Sequence, residues 1–164
     1  MRTLALLGAT LSLVLGLLTG GSVAAAPVSD REATSSVLQR SPASTYAAQA
    51  FRVTNRHRVK RDRVRLKHSK CLHRKAVRQA RKMARQRRIF HQDLRPVLRD
   101  CNMRLVGENV AYGYRSGKAV VNRGWMKSPG HRRNILTRQY RRMGIAARKA
   151  GGRWYVAQVF GRRA

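Results

Sequence analysis

The sequence predicts an α+β domain, and three features of it carry that reading. An amphipathic helical stripe lies in the middle of the chain, a short apolar segment at 106–111 suits a strand, and two β-rich segments flank a double glycine near the C-terminus. Apolar residues at steps of three and four mark helix, whereas short aromatic and β-branched runs bounded by turn residues mark strand. Helices first, with strands interleaved and a closing hairpin, fit a layered domain around one core.

The chain opens like an export signal. Arg2 supplies a positive start, 4–18 a mostly apolar run, and small residues follow at 22–26. The pattern places a signal peptide over 1–25, with cleavage after Ala25. An uncleaved membrane anchor is the alternative, and nothing later in the chain is long and apolar enough to span a bilayer. Residues 26–46 are rich in Ala, Ser, Pro and Thr without an apolar period, which reads as a flexible linker or pro-like segment. What remains, 47–164, is long enough for one domain with a sizeable core.

Within that domain, Tyr46, Ala47, Ala50, Phe51 and Val53 open a first helix over 46–59. Leu72, Ala76, Ala80, Met83 and Ala84 form the narrow face of a second helix over 70–87, with Arg and Lys around the rest. Long arginine stems can lie along such an apolar rim while their heads stay in water. The strand at 106–111 is interrupted by Glu108 and Asn109. A helix over 118–126 turns Val120, Val121 and Trp125 inward, and Ser128-Pro129-Gly130 breaks it before a short helical turn through Ile135. The hairpin pairs 143–147 with 154–160 across a turn at 149–153.

Two cysteines, Cys71 and Cys101, stand in the exported part. An even count in an oxidising compartment predicts a disulfide, with free thiols or a metal pair as the alternative. The chain has 37 Lys and Arg against six Asp and Glu. Taking away Arg2, Arg31 and Arg40, and Asp30 and Glu32, leaves 34 basic and four acidic residues in 47–164. Such a field attracts any polyanion, and an exported chain meets anionic envelope polymers and lipids first. Arg outnumbers Lys by 29 to 8, so a high-GC coding bias is the competing explanation of the charge.

With so few acids, a lone Glu108 among apolar and small residues reads as a member of a polar site. FHQD at 90–93, GENVAYG at 107–113 and WMKSPGHRRNIL at 125–136 place it between His91 and His131 in sequence. Together with MGIA and WYVAQVFG, the order and spacing of these segments resemble the CAP superfamily (SCP-like or PR-1-like), its bacterial secreted branch above all. The resemblance spans about 47–164. It implies an α-β-α sandwich with a central antiparallel sheet between helices, and an open cleft lined by two His and two Glu. Matched segment by segment, it makes His91 the first histidine, Glu108 the first glutamate and His131 the second histidine. Ser128 stands where the second glutamate is expected, so the chain keeps three of the four groups.

Two histidines and a carboxylate match a catalytic zinc set in ligand type, and zinc in such a set activates water. The gaps of 17 and 23 residues say nothing about convergence; only the resemblance brings the groups together. There is no HExxH motif, no evident carboxylate as general base, and no G-x-S-x-G elbow around Ser128. Three readings of His91, Glu108 and His131 therefore stay open: a metal-assisted hydrolase, reversible divalent-ion binding without turnover, and a structural role in which Glu108 pins the cleft wall. Ser128 is expected to cap the turn or helix that starts near Pro129. Asn109 and Asn134 are expected to bond backbone, Trp125, Trp154, Tyr155 and Phe160 to lie in the core, and Gln158 to reach the cleft. His57, His68 and His73, among cations, are expected at the surface.

The leading expectation is a secreted, monomeric, non-enzymatic domain needing no cofactor. Its basic surface contacts anionic envelope polymers or lipids, and its cleft takes a small ligand or a divalent ion such as zinc. The alternatives are a metal-assisted hydrolase of peptide or wall material, and a cationic nucleic-acid- or membrane-active protein. The last is opposed by the export signal and by the absence of a nucleic-acid-reading motif.

Overall fold

The computed structural model describes residues 40–164. The signal peptide at 1–25 and the linker as far as residue 39 lie outside the described residues. Helix α1 (Pro42–Val59) opens with Ser41 at its N-cap, whose hydroxyl accepts from the Ser44 N–H at 3.2 Å, and with Pro42 in its first turn. Both are helix-start devices. Residues 42–46, read as linker from composition, are thus the first turn of a folded helix.

A two-residue strand β1 (Lys67–His68) leads into α2 (Lys70–Gln86), then α3 (Arg95–Asp100) and β2 (Met103–Tyr112). A helical stretch follows as one α turn, α4 (Gly117–Ala119), a π turn (Val120–Gly124) and a 3₁₀ turn (Trp125–Lys127), where the sequence predicts one plain helix. Helix α5 (Pro129–Leu136) and strands β3 (Arg142–Ala150) and β4 (Arg153–Arg163) complete the domain. The hairpin is longer than predicted because its turn is only Gly151-Gly152, at φ 53° and 74°. Two consecutive positive φ values suit a type I′ turn, so pairing runs up to Ala150 and Arg153.

The strands form one sheet in the order β1-β3-β4-β2. The three long strands are antiparallel, as expected, but β1 pairs with β3 in parallel, which makes the sheet mixed. Side chains alternate across it. Ile145, Ala147, Val156 and Phe160 face α1, the 117–127 stretch and α5, packing with Tyr46, Val53, Trp125 and Ile135. Ala146, Tyr155, Ala157 and Val159 face the other layer, packing with Leu72, Ala80 and Met83 of α2 and Val97 of α3. The result is the α-β-α sandwich. Trp125, Tyr155 and Phe160 are buried as expected, and Trp154 lies half-buried with its ring 5.1 Å from that of Tyr46.

Small residues on the inner face of α2 let its backbone approach the sheet closely. A Cβ added at Gly144 of β3 would lie 2.1 Å from the His73 nitrogen and 2.3 Å from the Leu72 carbonyl carbon. Cys71 and Cys101 are disulfide-bonded across a separation of 30 residues, tying the start of α2 to the end of α3. In the chain-entropy view a loop of that length stabilises the fold by about 3–4 kcal/mol. Among the described residues no helix is long and apolar enough to cross a membrane.

Candidate functional site

Strand β2 lies at one edge of the sheet, and it carries Glu108 and Asn109 side by side. Consecutive strand residues point to opposite faces. Glu108 therefore turns to the α2–α3 layer and Asn109 to the α1–α5 layer, and the candidate site wraps around the β2 edge.

On the first face the Glu108 side chain is only 1% exposed. Its Oε2 accepts from His91 Nδ1 at 2.8 Å and from the Gln92 backbone N–H at 3.2 Å, and its Oε1 accepts from Gln92 Nε2 at 2.6 Å. These three donors satisfy acceptor oxygens that burial has removed from water. The 87–94 loop is held for this purpose by α2. The Gln79 side-chain amide donates to the Phe90 carbonyl, and Lys82 and Arg88 stand 5.6 and 5.2 Å from the Phe90 ring centre. Cations so placed are attracted to the ring face. Gln92 is a site residue that sequence reasoning missed; the one signal for it was its place in FHQD beside His91.

On the second face Asn109 Nδ2 donates to the His131 carbonyl at 3.2 Å and to Gln158 Oε1 at 3.1 Å. Asn134 Nδ2 donates to Asn109 Oδ1 at 2.9 Å and to the Glu108 carbonyl at 3.0 Å. Asn109 and Asn134 thus bond backbone as expected. Gln158 does not reach the cleft: it is wholly buried, and its Nε2 donates to Thr54 Oγ1 at 2.9 Å. It acts as a strut between α1 and Asn109. Thr54, also wholly buried, is a second residue the sequence did not disclose.

This strut fixes α5, and α5 carries His131 in its first turn, half-buried. Burial, and then the like charge of neighbouring His91, hold the His131 imidazole below its ordinary pKa. His131 thus feels the charge of His91 from the α5 side of the β2 edge, and His91 is well exposed to solvent. Ser128 sits at the N-cap position of α5, but its side chain makes no capping bond, against expectation.

Among the described residues no three His, Cys, Asp or Glu side chains form a group fit to hold a metal. The reason is visible at Glu108, whose two oxygens already accept three hydrogen bonds from His91 and Gln92. His91, Glu108 and His131 do not make the three-ligand zinc set that their residue types suggested. The Nε2 of His91 and the imidazole of His131 are what the arrangement offers a ligand. Glu108 orients His91 from behind, as a carboxylate does for a liganding histidine.

Of the remaining histidines His68 is exposed as expected, whereas His57 and His73 are half-buried. His57 Nε2 lies 2.6 Å from Asn122 Oδ1, and His73 Nδ1 donates to the Ile145 carbonyl at 2.9 Å. His68 lines an apolar cavity of about 310 Å³ with His73, Phe51 and Ile145. Burial, then His73 and Lys70, hold its pKa below the ordinary value. Arg58, in the first helix, is wholly buried. Its guanidinium donates to the carbonyls of Val64, Ile135, Thr137 and Tyr140 at 2.9, 2.7, 2.9 and 3.4 Å, fastening α1 to the end of α5.

Three solved structures from bacteria share the fold. An outer surface protein from Borrelia burgdorferi is 23% identical, with a TM-score of 0.62 over 70% of this chain and 90% of that one. An extracellular protein containing an SCP domain from Bacillus anthracis is 24% identical, with a TM-score of 0.65 over 76% of this chain and 45% of that one. A cysteine-rich secretory protein from Staphylococcus aureus is 21% identical, with a TM-score of 0.64 over 75% and 40%. In sequence, 57 residues are 40% identical to the uncharacterized membrane protein YlbC of Bacillus subtilis; that match covers 35% of this chain and 15% of the relative. The family model of the cysteine-rich secretory protein family matches residues 51–160. By that match, which spans most of the chain, and in keeping with its sandwich, this chain belongs to the cysteine-rich secretory protein (CAP) family.

Proposed function

We propose that this chain is a secreted, non-enzymatic adhesive domain that holds anionic polymers or lipids of the cell envelope against its basic surface. The observation that carries this reading is an uncompensated positive charge. Four acidic residues face 34 basic ones in 47–164, and three of the four are already occupied inside the domain. Asp93 pairs with Arg95, Asp100 with Lys75 and Arg99, and Glu108 with His91. Almost none of the cationic surface is neutralised from within, so its counter-charges come from outside.

In this reading the His91–His131 space is a secondary site for a small polar ligand or an ion held between two imidazoles. The hydrolase alternative gains no support, because Glu108 is committed to holding His91 and Gln92 and is not poised as a general base. The test is binding of the full chain to isolated envelope fractions over a salt series, beside a His91→Ala/His131→Ala variant. Both proteins should bind at low salt and be released together as salt rises. Binding indifferent to salt would sink the adhesive reading. Binding lost in the folded variant alone would move recognition to the histidines.

A further inference from the structure

Lys70, Arg74, Arg78, Arg81 and Arg85 recur along α2 at steps of four, four, three and four residues. At 3.6 residues per turn these steps keep all five within an arc of about 80°, over about 22 Å of helix. All five are exposed. The arc lies opposite the buried face of Leu72, Ala76, Ala80 and Met83, so the helix presents it squarely to solvent. Of the seven exposed residues of α2, only Gln86 is not basic. The ion pairs among the described residues engage Lys75, His91, Arg95 and Arg99, and none engages this stripe. Neighbours three and four apart on a helix are about 5–6 Å apart, so the like charges repel along the whole row. A coding bias towards arginine scatters charge over a surface; it does not line a row up on one helical face.

We infer that the exposed stripe Lys70–Arg74–Arg78–Arg81–Arg85 of α2 is the docking rail for a linear polyol-phosphate polymer of the cell envelope. The inference rests on the adhesive reading above and says where on the domain the polymer lies. A straight convex ridge with one cation per turn suits a flexible chain with one anion per repeat, which can run along it. A folded acidic partner would need a matching groove. Four of the five cations are arginines, whose planar forks take two phosphate oxygens at once. Neutralising the row removes its self-repulsion, which adds to the attraction.

The test uses the full oxidised chain and two charge-matched variants. One changes Arg74, Arg78, Arg81 and Arg85 to Gln. The other changes Arg56, Arg115, Arg123 and Arg138, which are exposed and lie outside α2, to Gln. Affinity for poly(glycerol phosphate) is measured over a salt series, with single-stranded DNA and polyglutamate of equal charge as comparison probes. Circular dichroism checks that each variant is folded. For a flexible polyanion, losing four phosphate contacts should flatten the slope of log K against log salt by about 3 and weaken binding roughly 10²–10³-fold at 0.1 M salt. The control should flatten it by less than about 1. Equal losses in both variants overturn the rail and leave general adhesion standing. A parent that binds none of the probes overturns the rail and the adhesive reading together. Polyglutamate bound as tightly as the phosphate polymer overturns the phosphate assignment, and DNA bound more tightly overturns the envelope source.

Discussion

Replacing Arg58 with Met tests what a buried cation without a carboxylate partner does here. The guanidinium is wholly buried and reaches four carbonyls, those of Val64, Ile135, Thr137 and Tyr140. Burial, and then the like charges of Arg141 and Arg63, push its pKa down to about 10, so its charged form is held at a cost. Two effects oppose each other on substitution. Methionine fills much of the volume and relieves the desolvated charge, which for buried ions can be neutral or favourable. Against this, the Ile135 and Tyr140 contacts are buried, and each acceptor left without its donor costs about 1–3 kcal/mol. The Val64 and Thr137 carbonyls are nearer solvent and can turn to water. Because no counter-ion is orphaned, the carbonyl loss should dominate, giving a net destabilisation of about 2–4 kcal/mol. Urea unfolding at fixed salt reads this as a lower midpoint with an unchanged slope. Arg58→Lys should fall between, since an ammonium has three donors but no planar fork. A Met variant as stable as the parent would refute the reasoning, because it would mean that desolvation of the cation outweighs the four hydrogen bonds.

Three further outcomes follow from the geometry. Gly144→Ala forces a Cβ to 2.1–2.6 Å from the backbone of Leu72 and His73, which cannot rotate away, and should cost about 2–4 kcal/mol, read as a lower melting temperature. A melting temperature within a degree of the parent would deny the close approach. Reducing Cys71–Cys101 should remove about 3–4 kcal/mol, with thermal melts in the presence and absence of reductant as the check; coincident melts would reject it. His68 and His131 both have folded pKa values below the ordinary 6.5, with burial as the main cause. The unfolded chain therefore binds these protons first, so their contribution is full above pH 6.5 and is lost as pH falls from there through the folded values. Urea midpoints should drop between pH 7.5 and pH 5, less so in His131→Gln; an equal drop in that variant would remove His131 from the explanation.

Local pattern disclosed much of this fold. The α2 stripe was legible because five small or apolar residues recur at helical steps, and the hairpin because Gly151-Gly152 interrupts two β-rich runs. The start of α1 was also written locally, as Ser41 before Pro42, but the surrounding Ala, Ser and Thr gave the segment a linker's composition. Strand β1 is too short to leave a period, and the π turn at Val120–Gly124 has none of its own. The site was less legible. His91, Glu108 and His131 stand 17 and 23 residues apart on a loop, a strand and a helix, and only the family resemblance brought them together. Thr54 looks like an ordinary polar residue of α1, and Gln158 like a strand residue free to face the cleft, until the two bond each other in the core; Gln92 is drawn in only by its bonds to Glu108. The burial of Arg58 was not legible either, since one arginine among 29 carries no mark of it.

The hydrogen-bonded row of Thr54, Gln158, Asn109 and Asn134 also decides which strand alignment survives. Asn109 is registered opposite Gln158, with Glu108 opposite Val159. A slip of β2 against β4 by one residue would exchange the faces of Glu108 and Asn109. The carboxylate would then meet Thr54 and the apolar α1 layer, and the amide would face His91. Every polar group in the row would lose its partner at once, a penalty that the small or apolar neighbours Val106, Val110 and Ala111 do not impose. The polar row therefore serves as an alignment key: mispaired sheets are penalised at several positions together, and the pairing that completes the row also places the two histidines on one edge.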